Sequence, residues 1–383
     1  MLSRYLLIGA DVVPTISNYN FFITGNTDEL LGKELKKIFN EADYRIVNLE
    51  VPLVNTKTPI LKWGPNLIAP TSTINGYKAL GVNLVSLANN HILDQGDRGL
   101  YSTLQVLNES NINHLGAGEN SIAASKAFIF EFCGKKIGIY ACVEHEFSVA
   151  EDEKAGANPF DPLWSFDHIQ ELKKKSDYII ILYHGGKEHY RYPSPELQKV
   201  CRRFIDKGAN LVICQHSHCI GCEEKYLNGT IVYGQGNFIF DHSENECWKT
   251  GLLVKIDSNF LISYIPFVKI GNVVRIADEK KSLEIINDFR MRSEQIKSTE
   301  FVKDEYKKLI EKNILSYIYT FKEEKLFFFR LLKKIFGKRI ESIYLRRIVN
   351  DKKYIKIANY IDCEAHRELI STGLKSCYLR DEK

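Results

Sequence analysis

The stretch Ala209-Asn210-Leu211-Val212-Ile213-Cys214-Gln215-His216-Ser217-His218 is an apolar run that ends in two histidines one residue apart. A short apolar run followed by polar residues predicts a buried strand that gives way to a loop. In α/β proteins such loops are held rigidly by the sheet and carry many of the ligand-binding side chains. We therefore expect His216 and His218 to reach one metal ion or two adjacent ones.

The same arrangement, an apolar run followed at once by a candidate ligand, recurs along the chain. The further candidates are Asp11, Glu50, Asn90, His91 and His184. This mixture of oxygen and nitrogen ligands suits one or two ions of Mn²⁺, Zn²⁺ or Fe²⁺, whereas Ca²⁺ and Mg²⁺ prefer oxygen. Such an ion can lower the pKa of a bound water to about 7 and can hold a phosphoryl oxygen. Asp11 is the candidate bridge between two ions.

Apolar strands alternate with amphipathic helices through about residue 270, which predicts an α/β domain over residues 1–278. Gly134-Lys135 lies between two strand-like runs and predicts a hairpin, so we expect mixed rather than purely parallel sheets. From residue 279 to residue 383 the chain is rich in Lys and Glu, has helical periodicity and contains little Gly or Pro. We expect this region to be a basic, mainly helical C-terminal extension.

The basic charge is local. The formal net charge of the chain is +4, and residues 322–353 carry +7, so the remainder carries −3. Within that segment residues 325–339 form a basic amphipathic run, which is typical of a helix on an anionic membrane surface or of a helix whose aromatic stripe packs on the protein. No nucleic-acid-binding motif accompanies the charge, so we expect no nucleic-acid partner.

Nine cysteines are scattered without a framework of paired spacings, which predicts reduced thiols. Cys219 and Cys222 follow the histidine pair, but no second cysteine pair stands at zinc-site spacing, so we expect buried thiols there. No run approaches the ~18–20 apolar residues that a membrane span needs. We expect a cytoplasmic protein, with residues 325–339 leaving open a peripheral contact at the inner membrane surface.

Five motifs occur in a fixed order and carry a family resemblance. They are Val47-Asn48-Leu49-Glu50, Leu87-Ala88-Asn89-Asn90-His91-Ile92-Leu93-Asp94-Gln95-Gly96, His184-Gly185-Gly186-Lys187-Glu188, Gln215-His216-Ser217-His218 and Tyr233-Gly234-Gln235-Gly236-Asn237-Phe238. Over roughly residues 5–245 the chain resembles the bacterial poly-γ-glutamate capsule-biosynthesis (CapA-type) family of the calcineurin-like metallophosphoesterase superfamily. The resemblance implies a sandwich of two mixed β-sheets flanked by helices.

The resemblance also implies roles for individual residues. The expected metal ligands are Asp11, Glu50, Asn90, His184, His216 and His218. His91 resembles the superfamily's general acid, which protonates the leaving oxygen. The expected substrate-binding residues are Asn89, Glu188 and Asn237.

Position 13 departs from the superfamily, whose first motif is Asp-x-His, because Val13 stands where the histidine is expected. One of two ions would therefore lack an imidazole. The main hypothesis is a metal-dependent, phosphoesterase-like hydrolase associated with capsule or exopolymer biosynthesis, acting on an anionic polymer or a phosphoester. A second hypothesis is a non-hydrolytic, metal-containing accessory protein that binds an anionic polymer during synthesis or export. A third is a membrane-surface adaptor that acts through the C-terminal extension.

Overall fold

Two mixed β-sheets form the centre of the computed structural model, which describes residues 4–240 and 245–320 and parts of 356–370. The strands are β1 (Tyr5–Val12), β2 (Tyr44–Leu49), β3 (Leu84–Ser86), β4 (Asn113–Leu115), β5 (Ala117–Gly118), β6 (Phe128–Phe132), β7 (Lys135–Val143), β8 (Gly156–Ala157), β9 (Tyr178–His184), β10 (Leu211–Gln215), β11 (Glu223–Tyr226), β12 (Gly229–Val232), β13 (Asn237–Ile239), β14 (Thr250–Asp257), β15 (Ile262–Ile270) and β16 (Val273–Ile276). The α-helices are α1 (Tyr19–Thr24), α2 (Thr27–Glu41), α3 (Ile74–Ala79), α4 (Gly96–Glu109), α5 (Ser121–Ala124), α6 (Ser165–Lys173), α7 (Pro195–Asp206), α8 (Glu279–Gln295) and α9 (Thr299–Thr320).

The first sheet has the strand order β16-β15-β14-β1-β2-β3-β4, and β13 also pairs with β1. Strands β1 to β4 run parallel, and β14 to β16 continue the sheet as antiparallel strands. Parallel neighbours need a crossover connection, and helices α1 to α4 lie in the connections from β1 to β4. The parallel half therefore brings the carboxyl ends of β1, β2 and β3 to one edge.

The second sheet has the order β11-β12-β10-β9-β7-β6, and a separate two-stranded sheet pairs β5 with β8. Its inner strands β7, β9, β10 and β12 are parallel, whereas β6 and β11 are antiparallel edge strands. The β6–β7 pair is the hairpin predicted around Gly134. The two sheets and their flanking helices confirm the predicted sandwich.

Apolar side chains from both sheets fill the layer between them. Leu6 and Ile8 of β1 are fully buried there together with Ile180 of β9 and Ile213 of β10. A second core joins the outer face of the first sheet to α1–α4, and a third joins the outer face of the second sheet to α6 and α7. Strands covered on both faces read as continuous apolar runs, which is why the sequence shows runs rather than alternation here.

The first compact unit extends to Tyr306, beyond the boundary at residue 278 that the sequence predicts. Helix α8 is amphipathic, and its Ile285 and Phe289 are buried against Leu252 of β14. Its Arg292 is also buried and donates to the carbonyl oxygen of Gly221 at 2.7 Å. The start of the expected C-terminal extension is therefore part of this unit's packing.

The basic segment 325–339 lies outside the described residues, so its predicted amphipathic helix stays a prediction. Within the described part of the chain, no helix combines the length and apolarity that crossing a bilayer would require.

The loop that follows the histidine pair is closely packed at Gly221. The Gly221 N–H donates to the carbonyl oxygen of Gly234 at 3.1 Å, and a Cβ atom at position 221 would lie only 1.8 Å from the carbonyl oxygen of Tyr233. Since the Tyr233 carbonyl is a backbone group, it cannot rotate away from an added Cβ atom as a side chain could. This glycine lets the chain after β10 pass directly beside the chain after β12.

Replacing Gly221 by alanine should destabilise the protein by about 3 kcal/mol or more, because the added methyl group forces two backbone segments apart. Gly134→Ala is the matched control: nothing lies within 4 Å of its Cβ position, and only its positive φ of 76° opposes the change, at about 1 kcal/mol. Calorimetric melting temperatures of the two variants give the comparison. Equal melting temperatures would contradict the packing described here.

Candidate metal centre

The candidate ligands come from strand ends of both sheets. Asp11 near the end of β1 is the register partner of Asn48 in β2, and Glu50 follows β2 directly. In the second sheet His184 ends β9 and is the register partner of Gln215, the last residue of β10. Parallel strands present their carboxyl ends at a common edge, so residues far apart in the chain meet where the two sheets face each other.

The two histidines after β10 sit on a backbone that few residues adopt. His216 has a φ of 88° and His218 a φ of 55°. Left-handed backbone costs a residue with a side chain about 1–3 kcal/mol and persists only where the surroundings impose it. Gln215 supplies part of that constraint, because its Nε2 donates to the carbonyl oxygen of Gly9 at 3.2 Å. The turn aims both imidazoles back toward the sheet edge.

Three donor atoms converge around Nε2 of His184. Oδ1 of Asn90 lies 3.0 Å from it, Nδ1 of His216 3.2 Å and Oε1 of Glu50 3.4 Å. All four residues are at least nine-tenths buried. We refer to Glu50, Asn90, His184 and His216 as the Glu50 cluster. Glu50, His184 and His216 present ligand atoms that all lie within 4.8 Å of one another.

The Glu50 cluster fits a transition-metal ion. Ligands about 2.1 Å from an ion lie about 3.4 Å apart when arranged tetrahedrally, which is the spacing found around His184. Neither carboxylate oxygen of Glu50 has a hydrogen-bond partner among the described residues, although Glu50 is fully buried. A buried carboxylate without a partner is expensive. Two imidazoles, a carboxylate and an amide oxygen form a donor set that suits Mn²⁺, Fe²⁺ or Zn²⁺.

Both carboxylates of the centre have perturbed acidities. Burial, and to a smaller extent the nearby charge of Glu50, raises the pKa of Asp11 to about 7. Burial also raises the pKa of Glu50 to about 7. Two carboxylates in one buried site repel each other when ionised. A divalent cation between them would remove that repulsion.

The imidazoles of the centre are neutral at physiological pH. Burial lowers the pKa of His184 to about 4 and that of His218 to about 4, and it lowers the pKa of His216 well below its usual range. A neutral imidazole has one nitrogen lone pair free, which is the form that binds a metal. Burial in this site therefore keeps these histidines in the neutral form that binds a metal.

Asp11 and His218 lie beside the Glu50 cluster. Asp11 accepts a hydrogen bond from Nδ2 of Asn48 at 2.8 Å, and its Oδ2 lies 3.9 Å from Nδ1 of His218. The same Asn48 amide lies 3.3 Å from Nδ1 of His184. Asn48 thus connects Asp11 to the Glu50 cluster. The carboxylate in the three-residue ligand group is that of Glu50, a predicted ligand, and the bridging role suggested for Asp11 stays a prediction.

His91 is held from one side by a buried ion pair. Its Nδ1 lies 2.6 Å from Oδ2 of Asp94, and Nζ of Lys62 contacts Asp94 and lies 3.3 Å from the same imidazole nitrogen. The side chains of Lys62 and Asp94 are 3% and 1% exposed. Sequence reasoning missed Lys62, because it lies in an irregular segment without periodicity. Asp94 belongs to the motif that runs from Leu87 to Gly96, but the sequence assigned it no role.

The segment that carries Lys62 is tied to the residues after His91. Gln95 accepts a hydrogen bond from the Thr58 N–H at 2.7 Å and donates to the carbonyl oxygen of Leu67 at 2.9 Å. The Leu67 N–H donates to Asp94 at 2.5 Å. These bonds fix residues 58–67 over the Asp94-Gln95 step and keep the Lys62 ammonium group buried.

The three predicted substrate-binding residues have different surroundings. Asn89 is fully buried and uses its amide to connect Asn48, the Leu49 carbonyl and the His91 N–H, so it fixes the turn that carries Asn90 and His91. Glu188 is exposed, and its charge acts on Glu50, His184 and His218. Asn237 is buried against His218, with Oδ1 2.7 Å from Nδ1 of that imidazole. Their contact with a substrate stays a prediction.

Glu146 is a further acidic residue at the centre. It follows β7, and its Oε1 lies 3.8 Å from Nε2 of His216. Histidine ligands commonly direct their second nitrogen toward a carboxylate, and Glu146 occupies that position. The signal was present in the sequence, since Glu144-His145-Glu146 also follows an apolar run.

Comparison with known proteins agrees with the motifs. Residues 10–242 match the family model described as "Bacterial capsule synthesis protein PGA_cap". The "Capsule biosynthesis protein CapA" of Bacillus anthracis is 27% identical over 239 residues, covering 56% of this chain and 58% of that protein. The "PGA biosynthesis protein CapA" of Bacillus subtilis is 28% identical over 217 residues, covering 54% and 56%. The matches span less than two thirds of the length of these relatives.

Two solved structures are also similar. A phosphatase from Mycoplasma pneumoniae matches with a TM-score of 0.44 at 18% identity, covering 70% of this chain and 94% of that one. A 5'-nucleotidase precursor from Thermus thermophilus matches with a TM-score of 0.39 at 13% identity, covering 75% and 58%. The family model spans more than half of the present chain, and the five ordered motifs lie within the matched residues. The chain therefore belongs to the bacterial capsule synthesis protein family PGA_cap.

Proposed function

We propose that this protein is a metal-dependent hydrolase of the phosphoesterase type that acts in the production of a bacterial capsule or another exopolymer. The observation that carries the proposal is the convergence of three donor atoms within 3.4 Å of Nε2 of His184. The capsule context is supported by family membership and by the names of the relatives. An anionic polymer or a phosphoester is the proposed substrate class.

The Glu50 cluster would hold the ion, which supplies a Lewis acid for a phosphoryl oxygen and lowers the pKa of water at the site. His184 and His216 are neutral, so they are available without losing a proton. The carboxylate of Glu50 contributes the negative charge that neutral imidazoles lack. Asn90 adds an amide oxygen, a neutral ligand that leaves the net charge of the site unchanged.

His91 is the proposed general acid. An ionised carboxylate only accepts hydrogen bonds, so the 2.6 Å contact with Asp94 assigns a proton to Nδ1 of His91. In the protonated imidazole the second proton is on Nε2, and that nitrogen can deliver it to the leaving oxygen. Lys62 balances the charge of Asp94, and the three groups together fix the ring's orientation.

A non-hydrolytic accessory protein that binds an anionic polymer is the second candidate. The observation that favours it is Val13, which is buried in the apolar core beside β1 and supplies no ligand. A centre with fewer ligands can hold an ion and bind an anion without activating water. Turnover measurements separate this candidate from the first.

Purified protein should contain a transition metal, and the double variant His216→Ala/His218→Ala should lose it, because the two imidazoles supply ligand nitrogens from one turn. His114→Ala is the control, since His114 contacts Asn108 away from the ligand groups described. Elemental analysis by mass spectrometry measures the ion content. Equal metal in the double variant and the wild-type protein would contradict the proposal.

With Mn²⁺ present, the protein should hydrolyse at least one member of a panel of phosphomonoesters and phosphodiesters. His91→Ala should lower kcat by about 10²–10⁴-fold, which is the usual contribution of a general acid. Metal content measured in parallel should stay at the wild-type level. Absence of turnover across the panel, with retained binding of poly-γ-glutamate, would favour the accessory protein instead.

Lys62→Met should lower the free energy of unfolding by about 3–5 kcal/mol, because it leaves the buried carboxylate of Asp94 without its counter-charge. The double variant Lys62→Met/Asp94→Asn should lose less than the sum of the single changes. Lys199→Met is the matched control, since its ion pair with Glu196 is exposed and should contribute little. Denaturant midpoints give the comparison, and equal losses for Lys62→Met and Lys199→Met would refute it.

A further inference from the structure

The loop after β9 runs beside the metal centre and is anchored on both sides. The Gly186 N–H donates to Oε1 of Glu144 at 3.0 Å, and the His189 N–H donates to the carbonyl oxygen of Ser217 at 2.8 Å. Glu144 follows β7 and Ser217 follows β10, and these two strands are the neighbours of β9 in the second sheet. His189 is therefore fixed next to the turn that carries the two candidate ligand histidines.

The backbone of His189 is in the left-handed region, with a φ of 59°. Residues with a side chain keep this conformation where their surroundings impose it, and such positions cluster at functional sites. The bond to the Ser217 carbonyl supplies the constraint here. As a result, the exposed imidazole of His189 lies beside that of His218, with 5.9 Å between the ring centroids.

Trp248 fixes the orientation of the His189 ring. The indole Nε1–H of Trp248 donates to Nε2 of His189 at 2.8 Å. The indole is itself held in place, because its ring centroid lies 4.8 Å from that of His218 and 4.8 Å from that of Phe240. The ammonium group of Lys269 lies 5.2 Å from the same indole centroid. Trp248 thus holds His189 through one of its two ring nitrogens.

The contact with Trp248 determines where His189 carries its proton. An indole N–H can only donate, so Nε2 of His189 is the acceptor and is unprotonated, and the neutral imidazole then has its proton on Nδ1. Protonation of Nε2 would set two donors against each other, so the contact also favours the neutral ring. Nδ1 of His189 makes no hydrogen bond to any described residue. Its N–H is therefore available to water or to a bound molecule.

An anion held at the centre would bring oxygen atoms close to this N–H, because the neighbouring His218 is itself an expected metal ligand. A phosphoryl or carboxylate group has more oxygens than one metal ion binds. A neutral donor can contact the remaining oxygens without adding a positive charge beside the ion. Hydrogen bonds to charged groups are also stronger than those between neutral groups.

We propose that His189 is a substrate-binding residue, whose Nδ1–H donates to a phosphoryl or carboxylate oxygen of the anion held at the metal centre. Trp248 is a positioning residue, since it acts through the orientation and proton position of His189. The inference rests on the proposed metal-dependent function and deepens it, because it assigns recognition of the anionic group to a residue outside the ligand set.

The test is binding of inorganic phosphate, and separately of a γ-linked glutamate oligomer, to the Mn²⁺-loaded, full-length protein by titration calorimetry. His189→Gly and His189→Asn both fit the left-handed backbone, but only asparagine keeps an N–H near the place of Nδ1. His189→Gly should bind the recognised anion about 10- to 100-fold more weakly, as expected for a lost hydrogen bond to a charged group. His189→Asn should recover most of that affinity. His114→Ala is the control, and metal content should be equal in all four proteins.

The two probes identify the recognised group. Weaker binding of phosphate alone indicates a phosphoryl group, and weaker binding of the glutamate oligomer alone indicates a carboxylate. Equal affinity of wild-type protein and His189→Gly for both probes would overturn the inference and leave His189 as a packing partner of Trp248. Absence of binding of either probe to the metal-loaded wild-type protein would overturn it as well, while turnover of the phosphoester panel would let the proposed function stand.

Kinetics separate this role from that of His91. With p-nitrophenyl phosphate, His189→Gly should raise KM by a factor similar to its loss in binding and leave kcat nearly unchanged, because a contact to a non-reacting oxygen exists in the bound substrate and in the transition state alike. A fall in kcat at unchanged KM would overturn the inference. Weaker anion binding in His189→Gly without any turnover would instead overturn the hydrolytic function and leave the inference standing for an accessory protein.

Nuclear magnetic resonance of the wild-type protein keeps the test decisive if His189→Gly melts at a lower temperature. In Zn²⁺-loaded protein with ¹⁵N-labelled histidines, the signals of His189 are those that disappear in His189→Asn. They should show a proton on Nδ1 and none on Nε2, and the Nδ1–H signal should shift when the anion binds. A proton on Nε2, or an Nδ1–H signal that bound anion leaves unchanged, would overturn the inference.

Discussion

Glu50 holds a fully buried carboxylate for which the described residues provide no hydrogen bond, and the centre is arranged around that carboxylate. Burying an ionised group without a partner is strongly unfavourable, so the group either binds a proton or binds a cation. The neighbouring imidazoles are also kept neutral by burial. The arrangement is therefore unfavourable as a purely structural element and favourable as a receptor for a positive ion.

The architecture makes this arrangement possible. Each sheet has a parallel portion, and parallel strands deliver their following residues to a common edge. Asp11 and Glu50 come from the first sheet, whereas His184 and His216 come from the second. Because the apolar layer between the sheets is continuous and closely packed, the two edges are fixed relative to each other. Ligand geometry thus depends on packing among residues such as Ile8 and Ile213, which contact no ligand.

Much of this was predictable from the sequence, for a physical reason. Buried strands are continuous apolar runs, and a polar residue directly after such a run is placed at the sheet edge whatever the rest of the fold. That reasoning identifies His184, His216 and Glu50 as neighbours. It fails where proximity depends on the pairing of distant strands. The adjacency of Asn237 and Asp11 follows from β13 pairing with β1, which no local pattern reveals.

Two other features were invisible for different reasons. Lys62 lies in an irregular segment. Its ammonium group is buried by its own contact with Asp94 and by the bond from Thr58 to Gln95, and sequence spacing encodes neither. The sequence places the end of the α/β domain at residue 278 because the composition changes there. Helix α8 nevertheless packs its apolar side on β14, so a helix with a highly charged sequence belongs to the core of this unit.

The left-handed backbone at His216 and His218 restricts which residues can occupy these two positions. Glycine would fit the backbone and remove the ligand, whereas β-branched or bulky residues would fit neither requirement. Asparagine and aspartate are the other side chains that tolerate this conformation and carry a donor atom. Substitutions of His216 or His218 that keep both the backbone and a donor atom are therefore limited to oxygen donors. Such a change would shift the ion preference of the centre from transition metals toward magnesium or calcium.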